Sequence, residues 1–162
     1  HTDALWKGLT EAGREYDMKL IGLGARDTLR LEMKMALYGN DIDETTNPVE
    51  AGLSFIVDFD KDFIGSDVVK RVKEEKPSRR LVCLELEGKA FPRHGYEITE
   101  NGEAVGQVTS GTFSPSLKKP IALGYVPRTK AKSGSEVSVK IRNKEFPAVV
   151  VKPPFYKHGS HK

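Results

Sequence analysis

Apolar positions recur at helical spacing in the first half of the chain and run as short strand-like blocks in the second. Leu5, Trp6, Leu9 and Ala12 share one face of a predicted helix that Gly13 ends. The i, i+4, i+8 series Leu29, Met33 and Leu37 predicts a second helix from Ala25 to about Leu37, stopped by Gly39 and Asn40. Ser66 as an N-cap, followed by Val68, Val69 and Val72, predicts a third, which Pro77 keeps from extending. Between them residues 53–57 (Leu-Ser-Phe-Ile-Val) are short, β-branched and aromatic, and predict a strand.

Beyond residue 78 the pattern changes. Residues 81–86 are apolar and unbroken by Gly or Pro, and residues 96–99 and 105–108 flank Asn101-Gly102, a strong two-residue hairpin signal. Residues 121–126, 137–141 and 146–151 follow, the last two joined across Asn143 and Lys144. Six short strands in so short a stretch predict a small antiparallel barrel or sandwich, because closing the sheet protects its edges. The charged segment 73–78 ends in Pro-Ser, carries no apolar anchor, and marks the boundary between the two textures. The expected fold class is therefore α+β.

Charge adds little. Twenty-six basic and 23 acidic residues leave +3, and the basic residues are spread out rather than gathered on one face, which argues against a nucleic-acid interface. No apolar run approaches the roughly 18 residues needed to span a bilayer, so no membrane partner is expected. A single cysteine, Cys83, permits no intrachain disulfide and no cysteine metal cluster, and fits a reducing compartment. The opening His1-Thr2-Asp3 has neither the basic start nor the apolar core of a signal peptide, and the chain is expected to begin inside a longer polypeptide.

Several candidate sites fail on their own chemistry. Residues 22–27 (Gly-Leu-Gly-Ala-Arg-Asp) lack the third glycine of a dinucleotide loop, and their glycines instead suggest a tight approach into a helix. Asp58, Asp60 and Asp62 have the alternation of a calcium loop, but Phe63 and Val69 stand where its glycine and glutamate belong. Asp41, Asp43 and Glu44 read as a solvated acidic loop. His94, His158 and His161 are too dispersed for zinc, and Cys83 reads as a buried structural thiol. Residues 109–116 (Thr-Ser-Gly-Thr-Phe-Ser-Pro-Ser) read as a hydroxyl-rich loop. Arg26 opens a helix, where the dipole disfavours a cation. It needs either a carboxylate such as Asp27 or an acceptor on a ligand.

Longer stretches are more specific. Residues 21–32 (Ile-Gly-Leu-Gly-Ala-Arg-Asp-Thr-Leu-Arg-Leu-Glu), 37–43, 46–53, 108–119 and 122–127 resemble, in order, the T-protein family of the glycine cleavage system, and residues 151–156 resemble its closing strand. The resemblance implies that residues 1–76 are the C-terminal segment of a folate-binding aminomethyltransferase core and residues 79–157 a C-terminal β-barrel domain. It implies tetrahydrofolate as the cofactor and the lipoylated H-protein as partner. The one-carbon unit of the aminomethyl-lipoyl arm would pass to tetrahydrofolate with release of ammonia. The family's catalytic aspartate lies in an N-terminal half that this chain does not contain, so no catalytic residue is expected here and the missing half is itself an expected partner. Arg26 matches the family's ligand-contacting arginine, and Tyr156 and Lys157 are candidates for its C-terminal folate contact. The implied location is cytoplasmic, or the mitochondrial matrix in a eukaryote. The competing readings are the folate-binding portion of a sarcosine- or dimethylglycine-oxidising enzyme or demethylase, and a non-catalytic folate-binding module.

Overall fold

Residues 79–151 build six antiparallel strands whose ladder closes on itself. They are β1 (Arg79–Leu86), β2 (Glu97–Glu100), β3 (Glu103–Ser114), β4 (Lys119–Pro127), β5 (Glu136–Ile141) and β6 (Lys144–Val151), in the spatial order β1-β4-β3-β2-β5-β6 with β6 returning to β1. The structure, a computed structural model, describes residues 1–89 and 91–159, so His161 lies outside the described residues. Three helices precede the barrel: α1 (Thr2–Ala12), α2 (Leu23–Glu32) and α3 (Ser66–Glu75).

Alternation along β1 explains why residues 81–86 are apolar throughout. Val82, Leu84 and Leu86 point into the barrel with Ile98, Val108, Val139 and Val150. Leu81 and Cys83 point outward into a second buried layer made with Leu31 of α2, Ile121, Leu123 and Tyr125 of β4, and Phe155 of the tail. A strand covered on both faces loses the polar half of its pattern. The barrel therefore has an inner core of its own and an outer one wherever α2 and the tail lie against β1 and β4.

The hairpin at Asn101-Gly102 is as expected: Glu100 pairs with Glu103, and both turn residues take positive φ, 53° and 82°. The β5–β6 turn sits one residue earlier than expected, at Arg142-Asn143, because Ile141 pairs with Lys144.

Several expectations are corrected. The second helix ends at Glu32, not near Leu37. Lys34 takes φ +57°, its N–H bonds to Leu31 O at 2.9 Å, and the Met35 N–H bonds to Arg30 O at 2.8 Å, a Schellman stop with lysine in the position glycine favours. Residues 53–57 are not a strand. Ser54–Ile56 form a 3-10 turn, and with Phe55 83% and Ile56 66% exposed no neighbouring strand pairs with it. Gly65, at φ +85°, caps α3 in place of Ser66, which becomes its first helical residue. Residues 109–114 are not loop but the second half of β3, and only 115–118 turn.

Candidate functional site

Helix α2 joins the buried cluster to the open face. Its first turn is solvent-facing, with Leu23 82% exposed and Arg26 exposed. A Cβ at Gly22 or Gly24 would meet nothing within 4 Å, so the glycines mark no tight approach within this chain, contrary to expectation. The last turn is fully buried at Leu31 and Glu32.

In between, Arg30 holds the helix to the barrel. Its Nε and Nη2 donate to Asp27 Oδ1 at 2.8 and 2.6 Å, its Nη1 to Asp41 Oδ2 at 2.6 Å, and its Nη2 also to Ser110 Oγ at 2.8 Å. Asp41 further accepts from the Leu37 N–H at 2.9 Å and from the Thr109 hydroxyl, and its backbone carbonyl accepts from Tyr125 OH at 3.0 Å. The Asp41 side chain has no solvent exposure. The expectation of a solvated loop fails for this residue: a charge so buried persists only when paired and hydrogen-bonded. Asp43 does remain exposed. Hydrogen bonds from the Thr45 side chain and backbone pull its carboxyl below the ordinary value.

The β3 strand supplies the receiving surface. Its register shifts between Val108 and Ser110, leaving Thr109 outside the ladder. A bulge re-aims side chains, and here the Thr109 hydroxyl reaches Asp41 while its carbonyl lies 2.9 Å from His94 Nδ1. Further along, Ser114 and Ser116 donate their hydroxyls to Glu32, the latter at 2.9 Å. Glu32 is thus a buried carboxylate held by hydroxyls rather than by a cation. Its backbone carbonyl accepts from the Tyr156 N–H at 3.0 Å, tying the tail to the end of α2.

Among the described residues no buried side-chain nitrogen or oxygen lacks a partner. Every buried polar side-chain atom of the cluster thus has a partner, and the cluster fixes α2 to the barrel. Arg26 differs. Asp27, one of the partners open to it, is taken by Arg30, and no ion pair among the described residues includes Arg26. Tyr156 is half-buried, its ring edge-on to His158 at 6.1 Å, and Lys157 is exposed. Arg26 and the Glu32–Tyr156 joint sit six helical residues apart, about 9 Å along the α2 axis. Nothing local to Arg30 or Glu32 marks them, and Asp41 has the look of a solvated carboxylate; the signal for all three is the hydroxyl-rich stretch that faces them. Elsewhere, burial pushes the Cys83 thiol up to about 12. Among the described residues no group of three or more His, Cys, Asp or Glu side chains could hold a metal, and no helix is long and apolar enough to cross a membrane.

The barrel and its docked helix match known proteins along most of the chain. Residues 1–61 match the family model of the GCVT N-terminal domain, and residues 79–157 that of the glycine cleavage T-protein C-terminal barrel domain. An aminomethyltransferase of Bacteroides thetaiotaomicron is 49% identical over 96% of this chain and 44% of its own length. One from Flavobacterium psychrophilum is 51% identical over 96% of this chain and 43% of its own. The crystal structure of glycine cleavage system aminomethyltransferase T from Bartonella henselae superposes with a TM-score of 0.87 at 35% identity, covering 93% of this chain and 43% of that one. Fold and matches together make this a barrel-and-helix module of the kind found in the aminomethyltransferases it resembles. The chain belongs to the glycine cleavage T-protein family, and it spans less than half the length of these relatives.

Proposed function

We propose that this chain is the C-terminal portion of a tetrahydrofolate-dependent aminomethyltransferase, with residues 1–76 completing the folate-binding core and residues 79–157 forming the barrel that holds α2 in place. The reaction proposed takes the one-carbon unit of the aminomethyl-lipoyl arm of the H-protein to tetrahydrofolate and releases ammonia. The observation that carries this reading is the state of α2. One end is locked by Arg30, Asp41 and Glu32, while the other presents an uncompensated Arg26 beside exposed Leu23. An arginine kept free on a helix whose neighbouring cation is fully engaged suits an acceptor from outside the chain.

The exposed surface fits tetrahydrofolate. Arg26 would bind a carboxylate or another acceptor of the cofactor, and Leu23 and Leu29, 82% and 59% exposed, offer apolar contact beside it. Tyr156 and Lys157 are the tail's candidate contacts. When bound, tetrahydrofolate supplies the nitrogens that accept the one-carbon unit. This chain's residues would orient it. The carboxylate that would assist nitrogen attack and stabilise developing positive charge belongs to polypeptide outside this chain. Leu5, Trp6, Leu9, Ile21 and Ile64 are all more than half exposed, as expected of a surface that such polypeptide covers.

The 162-residue chain with lipoylated H-protein and tetrahydrofolate should show no turnover alone, and turnover should appear when the remaining polypeptide is supplied. Turnover by the isolated chain, or none after reconstitution with a folded complement, would overturn the proposal.

A further inference from the structure

One end of the barrel opens into a cavity of about 640 Å³ between the β5–β6 turn and the segment leading into β2. Its floor is apolar: Tyr96, Ile141 and Phe146 line it, half-buried against the inner core. Its rim is basic, with Lys89, Arg93, Arg142 and Lys144, and among the described residues no carboxylate lines it. None of these four cations enters an ion pair among the described residues, while Lys119 and Lys140 of the strands are paired with Glu85 and Glu97. Arg93 alone has an internal acceptor, Gly111 O, at 3.2 Å.

Like charges around one opening repel, and an anion seated among them relieves that repulsion. Arg142 adds a second observation. It holds φ +58° at the first position of a two-residue turn that glycine favours, so the guanidinium is displayed there at a conformational cost. A cavity of this size, with an apolar floor and a few convergent charges, has the make-up of a small-molecule site. The bare cations can also meet ring faces and edges held on the floor.

We propose that this mouth binds a small planar anion, an apolar ring bearing a phosphate or carboxylate. The ring would sit on Tyr96, Ile141 and Phe146, and the charge would be met by Arg93, Arg142 and Lys144. The inference rests on the barrel alone and is independent of the folate reading.

The test titrates the 162-residue chain with 1-naphthyl phosphate, 1-naphthoate, 1-naphthol and inorganic phosphate, following amide shifts and binding heat. One or both naphthyl anions should bind at least tenfold more tightly than naphthol or phosphate and perturb Tyr96 and residues 141–146. The double variant Arg142→Asn/Lys144→Gln should lose at least tenfold in affinity with an unchanged melting temperature, since asparagine tolerates the left-handed turn position. Lys140→Gln should bind as the unaltered chain does. Equal binding of naphthol and the anions, perturbation confined to the leading helices, undiminished binding by the double variant, or no binding at millimolar probe would each overturn the proposal.

Discussion

Arg30 and Asp41 meet at 2.6 Å, with the carboxylate fully buried and the guanidinium nearly so. The pair joins α2 to the loop after it, and Ser110 and Thr109 bring the barrel into the same network. Removing one partner of a buried pair strands the other charge, which costs about 3–5 kcal/mol. Arg30→Met, which strands the buried Asp41 carboxylate, should destabilise the chain by that order, and Asp41→Ala by less, because Arg30 keeps Asp27 as a partner. The double variant should cost clearly less than the sum, because no buried charge is left uncompensated: Asp27, which loses Arg30, is half exposed. Chemical denaturation of the three variants measures the coupling, and strictly additive losses would refute it.

Two glycines should respond to alanine with opposite signs. A Cβ on Gly106 would lie 2.1 Å from the backbone oxygen of Tyr125, a neighbour that cannot swing aside. Gly106→Ala must therefore part β3 from β4 and should cost about 1–3 kcal/mol or more. Gly24 lies within α2 with nothing within 4 Å of its Cβ position, so Gly24→Ala should stabilise the helix by about 0.5–1 kcal/mol. Melting temperatures decide both, and a neutral Gly106→Ala would show that the strands have slack.

Cys83 is 2% exposed, and burial lifts its thiol from 9.0 to about 12. The folded chain should resist iodoacetamide at pH 8 and react only when unfolded. Because the thiolate is disfavoured only in the folded state, unfolding releases a proton once pH exceeds the unfolded value. This contribution to stability is intact below about pH 9 and is lost towards pH 12, at up to roughly 1.4 kcal/mol per pH unit. Burial of Tyr125, which also lifts its hydroxyl to about 12, acts in the same direction above about pH 10. Burial of Lys34 lowers its pKa and opposes the fall below its ordinary 10.5. Cys83→Ala should flatten the alkaline limb of stability against pH, and an unchanged slope would remove the thiol as its cause.

Arg26→Ala, tested in the enzyme assembled with its remaining polypeptide, should weaken folate binding by roughly 30-fold to several hundredfold, the equivalent of about 2–4 kcal/mol for a charged, partly buried hydrogen bond. Arg26→Lys should recover only part, since an ammonium cannot reproduce a planar fork. Asp27 is already held by Arg30, so the melting temperature should stay nearly constant. Unchanged folate affinity would take Arg26 out of the proposed site.

Much of the barrel was legible in the sequence because its signals are local. The Asn-Gly turn, the apolar blocks and the charged boundary segment need no distant partner to be interpreted. The α2 terminus was not legible, because the apolar series Leu29, Met33, Leu37 continues past the point where Lys34 turns left-handed. Residues 53–57 have strand-forming side chains but no strand beside them. Thr109 to Ser116 looked like loop because hydroxyls are usually solvated. Here Ser110 meets buried Arg30, while Thr109, Ser114 and Ser116 meet carboxylates buried on α2 or the loop after it. Arg30, Asp41 and Glu32 were hidden for the same reason: a buried ion network is fixed by contacts up to 84 residues apart.

The β1–β6 pairing completes the ladder, so each strand of the barrel is paired on both sides along part of its length. A closed ladder offers a partner strand little edge to add to by main-chain hydrogen bonding. Contacts with other macromolecules thereby fall mainly to side chains, to the barrel's mouths and to the helical segment ahead of residue 79. For the isolated chain this localises self-association as well. Uncontrolled aggregation, where it occurs, should nucleate on the leading helices and be suppressed by polar substitutions at Leu5, Trp6 and Leu9, without any redesign of the sheet.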